Sequence, residues 1–198
     1  EKRFGFNVPA EVLLAGISRT LFATAYDELR PVMGGILVEA STTNLTFVAS
    51  DAHKLVRYQR SDAKADDNAS FILPKKPASL LKNILPRESS VVSVEFDDRN
   101  AIFNLSDYRV VCRLVEGNYP NYNSVIPKNN PRKVRIDRLE FYNILRRVSV
   151  FSNQASNLVK LQFTPNQITV SAQDVDFSIS AYERHKCLYE GDDMEIGF

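Results

Sequence analysis

Three stretches of the chain decide its fold: FNVPAEVLLAGI (residues 6–17), FILPKKPASLLKNI (71–84) and VRIDRLEFYNIL (134–145). Each begins with residues that favour an extended backbone and continues with the spacing of an amphipathic helix. In each helix two adjacent large apolar residues are followed three positions later by a third, which predicts one apolar face. These sets are Leu13, Leu14 and Ile17; Leu80, Leu81 and Ile84; Phe141, Tyr142 and Leu145. The stretches recur about every 65 residues, and a period this long predicts duplicated domains instead of a short-period solenoid.

The segments that follow the helices repeat as well. NLTFVASD (44–51) and QITVSAQD (167–174) align position for position, each after an alternating strand and a tight turn. Within the first module, FNVP (6–9) also matches FILP (71–74). Each half therefore reads β-α-β-β-β, with the second helix predicted at residues 78–85. This order predicts an α+β fold in which the two halves pair their antiparallel strands edge to edge and both helices cover one sheet face.

Breaker residues mark the boundary between the modules. PKNNP (127–131) is rich in proline and asparagine and lies where the next repeat begins, as expected of an interdomain linker. We predict one domain at residues 1–126, a linker at 127–131 and a second, truncated domain at 132–198. A further opening strand, MEIGF (194–198), begins just before the sequence stops. The chain is therefore expected to be a fragment of a longer protein, with an incompletely paired sheet in its second domain.

The composition is that of an ordinary globular protein. The 198 residues are 44% hydrophobic and 25% charged, and a net charge of +1 neither requires nor excludes a polyanionic partner. No apolar run reaches the roughly 18 residues of a membrane span, and the sequence begins without the long apolar core of a signal peptide. These features predict a cytoplasmic protein. Cys112 and Cys187 are too few for a disulfide framework, and no CxxC pair indicates zinc.

Catalytic constellations are scarce in this sequence. Asp51 and His53, two positions apart, resemble part of an acid–base or metal pair, but a third ligand is lacking. The simpler interpretation is a polar turn between two strands. His185 lies in a charged connector, and the sequence has neither a phosphate-binding glycine loop nor a GxSxG elbow. We therefore predict no catalytic residue, no metal and no cofactor, and keep a hydrolase using Asp51 and His53 as an alternative.

Basic residues cluster on or beside two of the predicted helices. They are Lys75 and Lys76, which precede the second helix, Lys82 on it, and Arg138, Arg146 and Arg147 on or beside the third. The simplest role of these charges is to solvate the helices, and arginines at the end of the third helix also complement its dipole. If the duplicated helices all face one side of a curved assembly, the same charges form a basic stripe for phosphates. Such a stripe recognises backbone charge and not sequence.

Several motifs, in order, resemble one known family. They are ASDAHKL (49–55), ILPKK (72–76), EGNYPNYNSVIPK (116–128), VFSN (150–153) and MEIGF (194–198). With the repeats, they are similar to the bacterial sliding clamp, the beta subunit of DNA polymerase III, over its middle domain and the first half of its third. The resemblance implies the DNA-clamp fold and a non-catalytic processivity factor of DNA replication. In that family, two three-domain subunits form a homodimer ring that encircles double-stranded DNA without sequence preference and tethers the polymerase.

The resemblance also implies binding sites. In the family, short linear peptides of the polymerase III alpha subunit, the clamp loader and repair proteins bind one pocket. That pocket corresponds here to Arg30, Met33, Ser50, Ala52, His53, Lys54, Leu55, Pro120, Ser124 and Val125. The DNA-facing positions correspond to Lys75, Lys76 and Arg146, and the subunit interface corresponds to Val150 and Phe151.

This chain departs from the family pattern at the pocket. Ser50, Ala52 and Lys54 stand where the family often has Thr, Gly and Arg, and Ser124 stands where it has an Arg. The loss of that long, charged side chain predicts a different peptide preference. A two-domain clamp of the eukaryotic and archaeal type shares the repeat architecture and is a second alternative, although such a clamp lacks the ASDAHKL and NYPNYNSVIPK elements.

Overall fold

The sequence forms two units, Glu1–Val125 and Ile126–Phe198, in the computed structural model, which describes residues 3–26 and 29–198. In the first unit both halves have the predicted β-α-β-β-β order. The first half consists of β1 (Phe4–Pro9), α1 (Ala10–Thr20), β2 (Gly35–Ala40), β3 (Leu45–Ser50) and β4 (Leu55–Arg60). The second half consists of β5 (Ala69–Pro74), α2 (Lys75–Ile84), β6 (Val91–Phe96), β7 (Asn100–Asn104) and β8 (Arg109–Arg113). Short 3-10 turns lie at Leu21–Ala23, Pro31–Gly34, Leu85–Arg87 and Tyr122–Ser124.

Each half gives its opening strand to the sheet of the other half. The sheets have the orders β1-β6-β7-β8 and β4-β3-β2-β5, and all neighbouring strands are antiparallel. Strands of the two halves therefore pair edge to edge, as predicted, but they do so through an exchange of opening strands that the sequence analysis did not predict. Because each helix begins directly after Pro9 or Pro74, the opening strand has no hairpin to its own half. It pairs instead with the open edge of the other half's sheet, as Phe6 does with Val94.

Both helices and both sheets of this unit contribute to one apolar core. Leu13 and Ile17 of α1 and Leu81 of α2 are fully buried, as the predicted helical faces require. Phe71 and Phe96, from strands of different sheets, pack with ring centroids 4.6 Å apart. Burial of each such side chain contributes about 1.5–3 kcal/mol, so this shared core holds the two halves together as one unit.

The predicted pairs of adjacent apolar helix residues divide between the core and its margin. Leu80 and Tyr142 are exposed whereas Leu81 is buried, because adjacent residues on a helix point about 100° apart. In the third predicted helix, Ile144 and Val148 carry the buried face, and the predicted residues lie at its edge.

Helix α2 begins three residues earlier than predicted. It spans Lys75–Ile84, so Lys75 and Lys76 form its first turn instead of preceding it. Pro77 lies in this turn without breaking the helix, because the N–H groups of a first turn have no acceptor within the helix. The two lysines are therefore at the positive end of the helix dipole.

The second unit repeats the first half of this plan. It comprises β9 (Val134–Arg135), α3 (Arg138–Ser149), β10 (Lys160–Thr164), β11 (Gln167–Asp174), β12 (Ile179–Lys186), β13 (Leu188–Tyr189) and β14 (Met194–Gly197). The sheet order is β12-β11-β10-β14, so the predicted further opening strand, β14, lies beside β10 as β5 lies beside β2. Within residues 126–198, β9 has no counterpart of β6 and pairs only with β13. The core of this unit includes Ile144, Val148, Phe163, Ile168 and Tyr189.

Candidate partner and nucleic-acid surfaces

The turn between β3 and β4 is fixed by the carboxylate of Asp51. Its Oδ1 accepts hydrogen bonds from the N–H groups of His53, at 3.0 Å, and Lys54, at 2.9 Å, and its Oδ2 pairs with the Lys54 ammonium. The Lys54 side chain, with these backbone donors, holds the pKa of Asp51 well below its ordinary value. Both carboxylate oxygens are thus bound within the turn, and His53 is exposed beside it. The predicted polar turn is confirmed, and this pair is not arranged for acid–base chemistry.

Ser50 and Leu55 form the base of the same turn. The Ser50 hydroxyl donates to the Lys54 carbonyl at 2.8 Å and accepts from the Ala52 N–H at 3.2 Å. Ala52 has a φ of 74°, so it adopts a left-handed backbone conformation that usually favours glycine. Leu55 pairs with Ser50 across the ladder and is half-buried. The turn therefore presents Ala52, His53 and Lys54 outward on a fixed backbone.

A second segment carries Arg30 and Met33. Arg30 precedes the 3-10 turn Pro31–Gly34, and its carbonyl accepts a hydrogen bond from the Met33 N–H at 3.0 Å. The Met33 carbonyl accepts from the Ala25 N–H at 2.8 Å, and its side chain is buried. These two backbone hydrogen bonds fix the position of the segment at Met33, which adjoins Val32.

A third segment, residues 115–125, carries Pro120, Ser124 and Val125. It starts where the Val115 N–H donates to the Ile72 carbonyl of β5 at 3.1 Å. Farther along, the Tyr122 hydroxyl donates to a Glu39 carboxylate oxygen at 2.6 Å. Pro120 and Ser124 are exposed, and Val125 is 67% exposed, so Val125 is not a core residue of this unit.

The three segments meet at one apolar cluster. Its members are Leu37, Val48 and Ile72, with Val32, Val115, Tyr119 and Tyr122 packed against them. Val32 adjoins Met33, Val48 lies two residues before Ser50, and Tyr119 adjoins Pro120. Gly117 permits the close approach: its φ is 125°, and a Cβ there would lie 2.8 Å from a Val32 methyl carbon.

Tyr119 links the third segment to the β3–β4 turn. Burial raises the pKa of its phenol, and the neighbouring Ser50 backbone offsets part of the rise. Its hydroxyl oxygen is buried and makes no hydrogen bond of ordinary geometry within the described residues. Sequence reasoning did not single out Tyr119 or Tyr122. Their spacing in NYPNY, with two aromatics three positions apart in an otherwise polar segment, was the available signal.

The predicted DNA-facing residues differ in their surroundings. The Lys75 ammonium lies 3.3 Å from the ring centroid of Tyr26, and Lys76 on the same turn is exposed. In the second unit, the exposed Arg146 guanidinium lies 5.8 Å from the ring centroid of Tyr142.

The neighbouring Arg147 is engaged differently. It forms two hydrogen bonds with Glu183, at 2.7 and 2.8 Å. That pairing raises the pKa of Arg147 and lowers that of Glu183. Arg147 therefore ties α3 to β12, whereas Arg146 forms no ion pair within the described residues.

The predicted interface residues lie at the end of α3. Val150 is 75% exposed and Phe151 is 37% exposed. The Asn153 amide donates to Asp174 Oδ1 at 3.3 Å and to Asp176 Oδ2 at 3.2 Å, which joins this loop to the β11–β12 turn.

The β11–β12 turn adds two apolar residues that sequence reasoning missed. Val175 and Phe177 are each 73% exposed. Their signal in the sequence was two apolar side chains within a turn that follows Asp174. We call Val150, Phe151, Val175 and Phe177 the apolar patch of the second unit.

Within residues 3–26 and 29–198, no three His, Cys, Asp or Glu side chains lie close enough to share a metal ion. No helix in that described part is long and apolar enough to cross a membrane.

Two family models match consecutive parts of the chain. The model of the DNA polymerase III beta subunit, central domain, matches residues 7–121, and that of its C-terminal domain matches residues 123–198. The beta sliding clamp of Synechococcus elongatus is 28% identical over 200 residues, which cover 97% of the chain and 52% of the relative. That of a Synechocystis species is 32% identical over 186 residues, covering 85% of the chain and 48% of the relative.

Solved clamp structures have the same fold. The sliding clamp from Pseudomonas aeruginosa superposes with a TM-score of 0.93 at 25% identity, covering 98% of the chain and 54% of that structure. The beta subunit from Thermotoga maritima gives 0.90 at 27% identity, with 100% and 54% covered. The predicted clamp fold is confirmed, and the comparisons support neither the hydrolase nor the two-domain clamp. The chain spans about half the length of the relatives it matches, and it belongs to the DNA polymerase III beta subunit family.

Proposed function

We propose that the protein containing this chain is a DNA sliding clamp, the non-catalytic processivity factor that encircles duplex DNA in the cytoplasm as a homodimer ring. The observation that carries the proposal is the match of central and C-terminal clamp domains to consecutive parts of the chain. A ring is held on DNA by its topology. It retains the replicative polymerase by raising the effective concentration of the polymerase at the primer end, and this requires no catalytic residue.

Lys75, Lys76 and Arg146 are the proposed DNA-facing residues. A cation in the first turn of a helix opposes the helix dipole, which costs about 0.3–1 kcal/mol. The two lysines of α2 are therefore poorly explained by helix stability and well explained by a nearby polyanion. Contacts between such side chains and phosphates are screened by salt and independent of sequence, so they permit sliding.

The pocket for partner peptides is proposed at the meeting of the three segments in the first unit. Met33, Leu55, Pro120 and Val125 would supply apolar contacts, and the exposed His53 would supply a polar one at the rim. Arg30, Ser50, Ala52, Lys54 and Ser124 complete the proposed site. The partners are short linear peptides of the polymerase III alpha subunit, the clamp loader and repair proteins.

The subunit interface is proposed at the apolar patch of the second unit. Val150 and Phe151 are the positions that correspond to the family's interface. Val175 and Phe177 lie in the β11–β12 turn, which Asn153 joins to the loop after α3 by hydrogen bonds to Asp174 and Asp176. Large apolar side chains exposed together are typical of a surface that another protein covers.

The proposed function is tested with the whole protein that contains this chain and its clamp loader. The labelled protein is loaded onto nicked circular duplex DNA, separated from free protein by gel filtration, and the DNA is then cut once. A sliding ring should stay on the circle in high salt and should leave the linear DNA through its ends. Equal retention on both forms would contradict encirclement, and so would failure to stay on the circle after loader-dependent binding.

A further inference from the structure

We propose that the outer edge of β5 is a separate docking site, which takes an extended, basic peptide segment of a partner protein by strand addition. β5 is the edge strand of the sheet β4-β3-β2-β5. Its backbone along Ala69–Ile72 borders a cavity of about 770 Å³. A strand edge that opens into a cavity can pair with an added strand through main-chain hydrogen bonds.

The register of β5 shows which of its backbone groups point outward. The Ile72 carbonyl accepts a hydrogen bond from the Val115 N–H, so this carbonyl points away from β2. Every second residue of the strand points outward, so Pro74, two residues after Ile72, does so as well. It pairs with Gly35 and has no N–H that could face β2. By the alternation of an antiparallel ladder, Ser70 also points outward. Within the described chain, the Ser70 N–H, the Ser70 carbonyl and the Ile72 N–H have no backbone partner.

The walls of the cavity suit an extended chain. Opposite β5 lie the β6–β7 turn and the segment Leu114–Tyr119, and Phe4, Leu37 and Phe96 also line the space. Each residue of an added strand advances about 3.3 Å, so a short run of residues suffices to reach all three outward groups.

The charges of the cavity select a basic peptide. The lining contains four carboxylates, those of Glu39, Asp97, Asp98 and Glu116, and one guanidinium, that of Arg99. Backbone N–H groups of the β6–β7 turn lower the pKa of Asp97, and the Arg113 side chain lowers that of Glu116. Both are therefore ionised at neutral pH. Even with Glu116 paired to Arg113, the lining is net negative.

This cavity and the proposed pocket for partner peptides are formed by different residues, although they share a border. None of the residues proposed for that pocket lines the cavity, whereas Leu37, Ile72, Val115 and Tyr119 belong both to the cavity lining and to the apolar cluster at which the three segments meet. The docking site is formed by the edge of β5 and its surroundings alone, independently of the clamp function.

The test measures the fluorescence anisotropy of a labelled seven-residue peptide of alternating lysine and valine, added to the 198-residue chain. Ser70→Pro removes one outward N–H without touching the ladder to β2, and it should weaken binding about tenfold or more. The matched control is Gln59→Pro on β4, the opposite edge. The Lys54 carbonyl accepts a hydrogen bond from the Asp51 N–H, so the backbone groups of Lys54 face β3. The direction alternates along β4, and the Gln59 N–H, five residues on, therefore points outward. That variant should bind like the unchanged chain.

A modified peptide and a second protein variant test the docking site even if Ser70→Pro does not fold. A peptide with every backbone nitrogen methylated keeps its charges but cannot pair with a strand, and it should not bind. Asp98→Asn should weaken binding of the original peptide, because it removes one carboxylate from the cavity. Equal binding of the methylated peptide would overturn the inference, and so would an unchanged affinity in a folded Ser70→Pro variant. Displacement by a peptide that occupies the proposed partner pocket would also overturn it.

Discussion

At Gly16 the backbone of α1 lies directly against the ring of Phe47. A Cβ at this position would come 2.5 Å from Phe47 Cδ2, closer than real Cβ atoms approach. Gly16→Ala should therefore lower the free energy of unfolding by about 1–3 kcal/mol, although alanine normally favours a helix. Gly34→Ala is the control, because the nearest atom to its Cβ is the Ala25 carbonyl oxygen at 3.9 Å. Urea unfolding measures both, and a stabilised Gly16→Ala would show that α1 lies farther from the sheet.

Glu88 joins two turns through its carboxylate. It accepts hydrogen bonds from the hydroxyl and N–H groups of Ser106 and Ser90, which lower its pKa to about 2. A lowered folded-state pKa means that this stabilisation is complete above the ordinary value, 4.5, and is lost as the pH falls through about 2. Glu88→Gln should therefore flatten the decline of stability between these pH values.

The control for Glu88 is Asp107→Asn in the β7–β8 turn. It makes the same charge change next to Ser106, and Asp107 forms no side-chain hydrogen bond within the described residues. Acid unfolding followed by circular dichroism compares the three proteins. If Glu88→Gln and Asp107→Asn change the pH dependence equally, the hydrogen bonds of Glu88 do not contribute as described.

At the scale of elements, changes in the first turn of α2 should affect DNA binding and helix stability in opposite directions. Lys75→Glu with Lys76→Glu should abolish the weak, salt-sensitive binding of duplex DNA by this chain, or reduce the slope of log affinity against log salt by about 2. Lys76→Glu alone should keep or raise helix stability by up to about 1 kcal/mol, because a carboxylate suits this end of the dipole.

The control for the lysines is Lys128→Glu with Lys133→Glu, an equal charge change at exposed positions outside α2. Anisotropy of labelled duplex DNA at several salt concentrations gives the comparison. Equal losses in both double variants would mean that net charge, and not α2, determines binding. Tight, sequence-selective binding at physiological salt would contradict sliding.

Much of the element order could be predicted from sequence because local patterns set it. The repeat of NLTFVASD in QITVSAQD predicted matching strands and turns, and both final aspartates bond the N–H groups two and three residues on. The exchange of β1 and β5 between sheets could not be predicted, because periodicity does not specify strand partners. The start of α2 was predicted three residues too late; the helix includes Pro77 in its first turn, where proline is tolerated.

The candidate site was predictable only through the resemblance. The spacing of apolar residues alone did not distinguish Leu55 and Val125 from core residues. In the structure, Val125 is largely exposed and Leu55 is half-buried. Tyr119 joins the segments through contacts between residues far apart in sequence, and such contacts leave no local pattern.

At the scale of the whole molecule, the apolar patch of the second unit should make this chain associate with itself. Val150, Phe151, Val175 and Phe177 are all exposed, and each favours burial against another surface. Sedimentation velocity should show a concentration-dependent increase in mass, and Phe151→Glu should reduce it. Tyr108→Glu, an exposed aromatic of the first unit, should not. A monomer at high concentration for all three proteins would exclude the patch as an interface in this chain.

The central claim, that the first unit carries the partner pocket of a clamp, is tested most directly by calorimetry with a short peptide containing Gln, Leu and Phe in that order. We predict a Kd of roughly micromolar, about −8 kcal/mol. Leu55→Asp or Val125→Asp should weaken binding at least about tenfold, because each places a charge against apolar groups of the peptide. Val91→Asp, an exposed valine on β6, is the control and should bind normally. Unchanged affinity in both pocket variants would contradict the account.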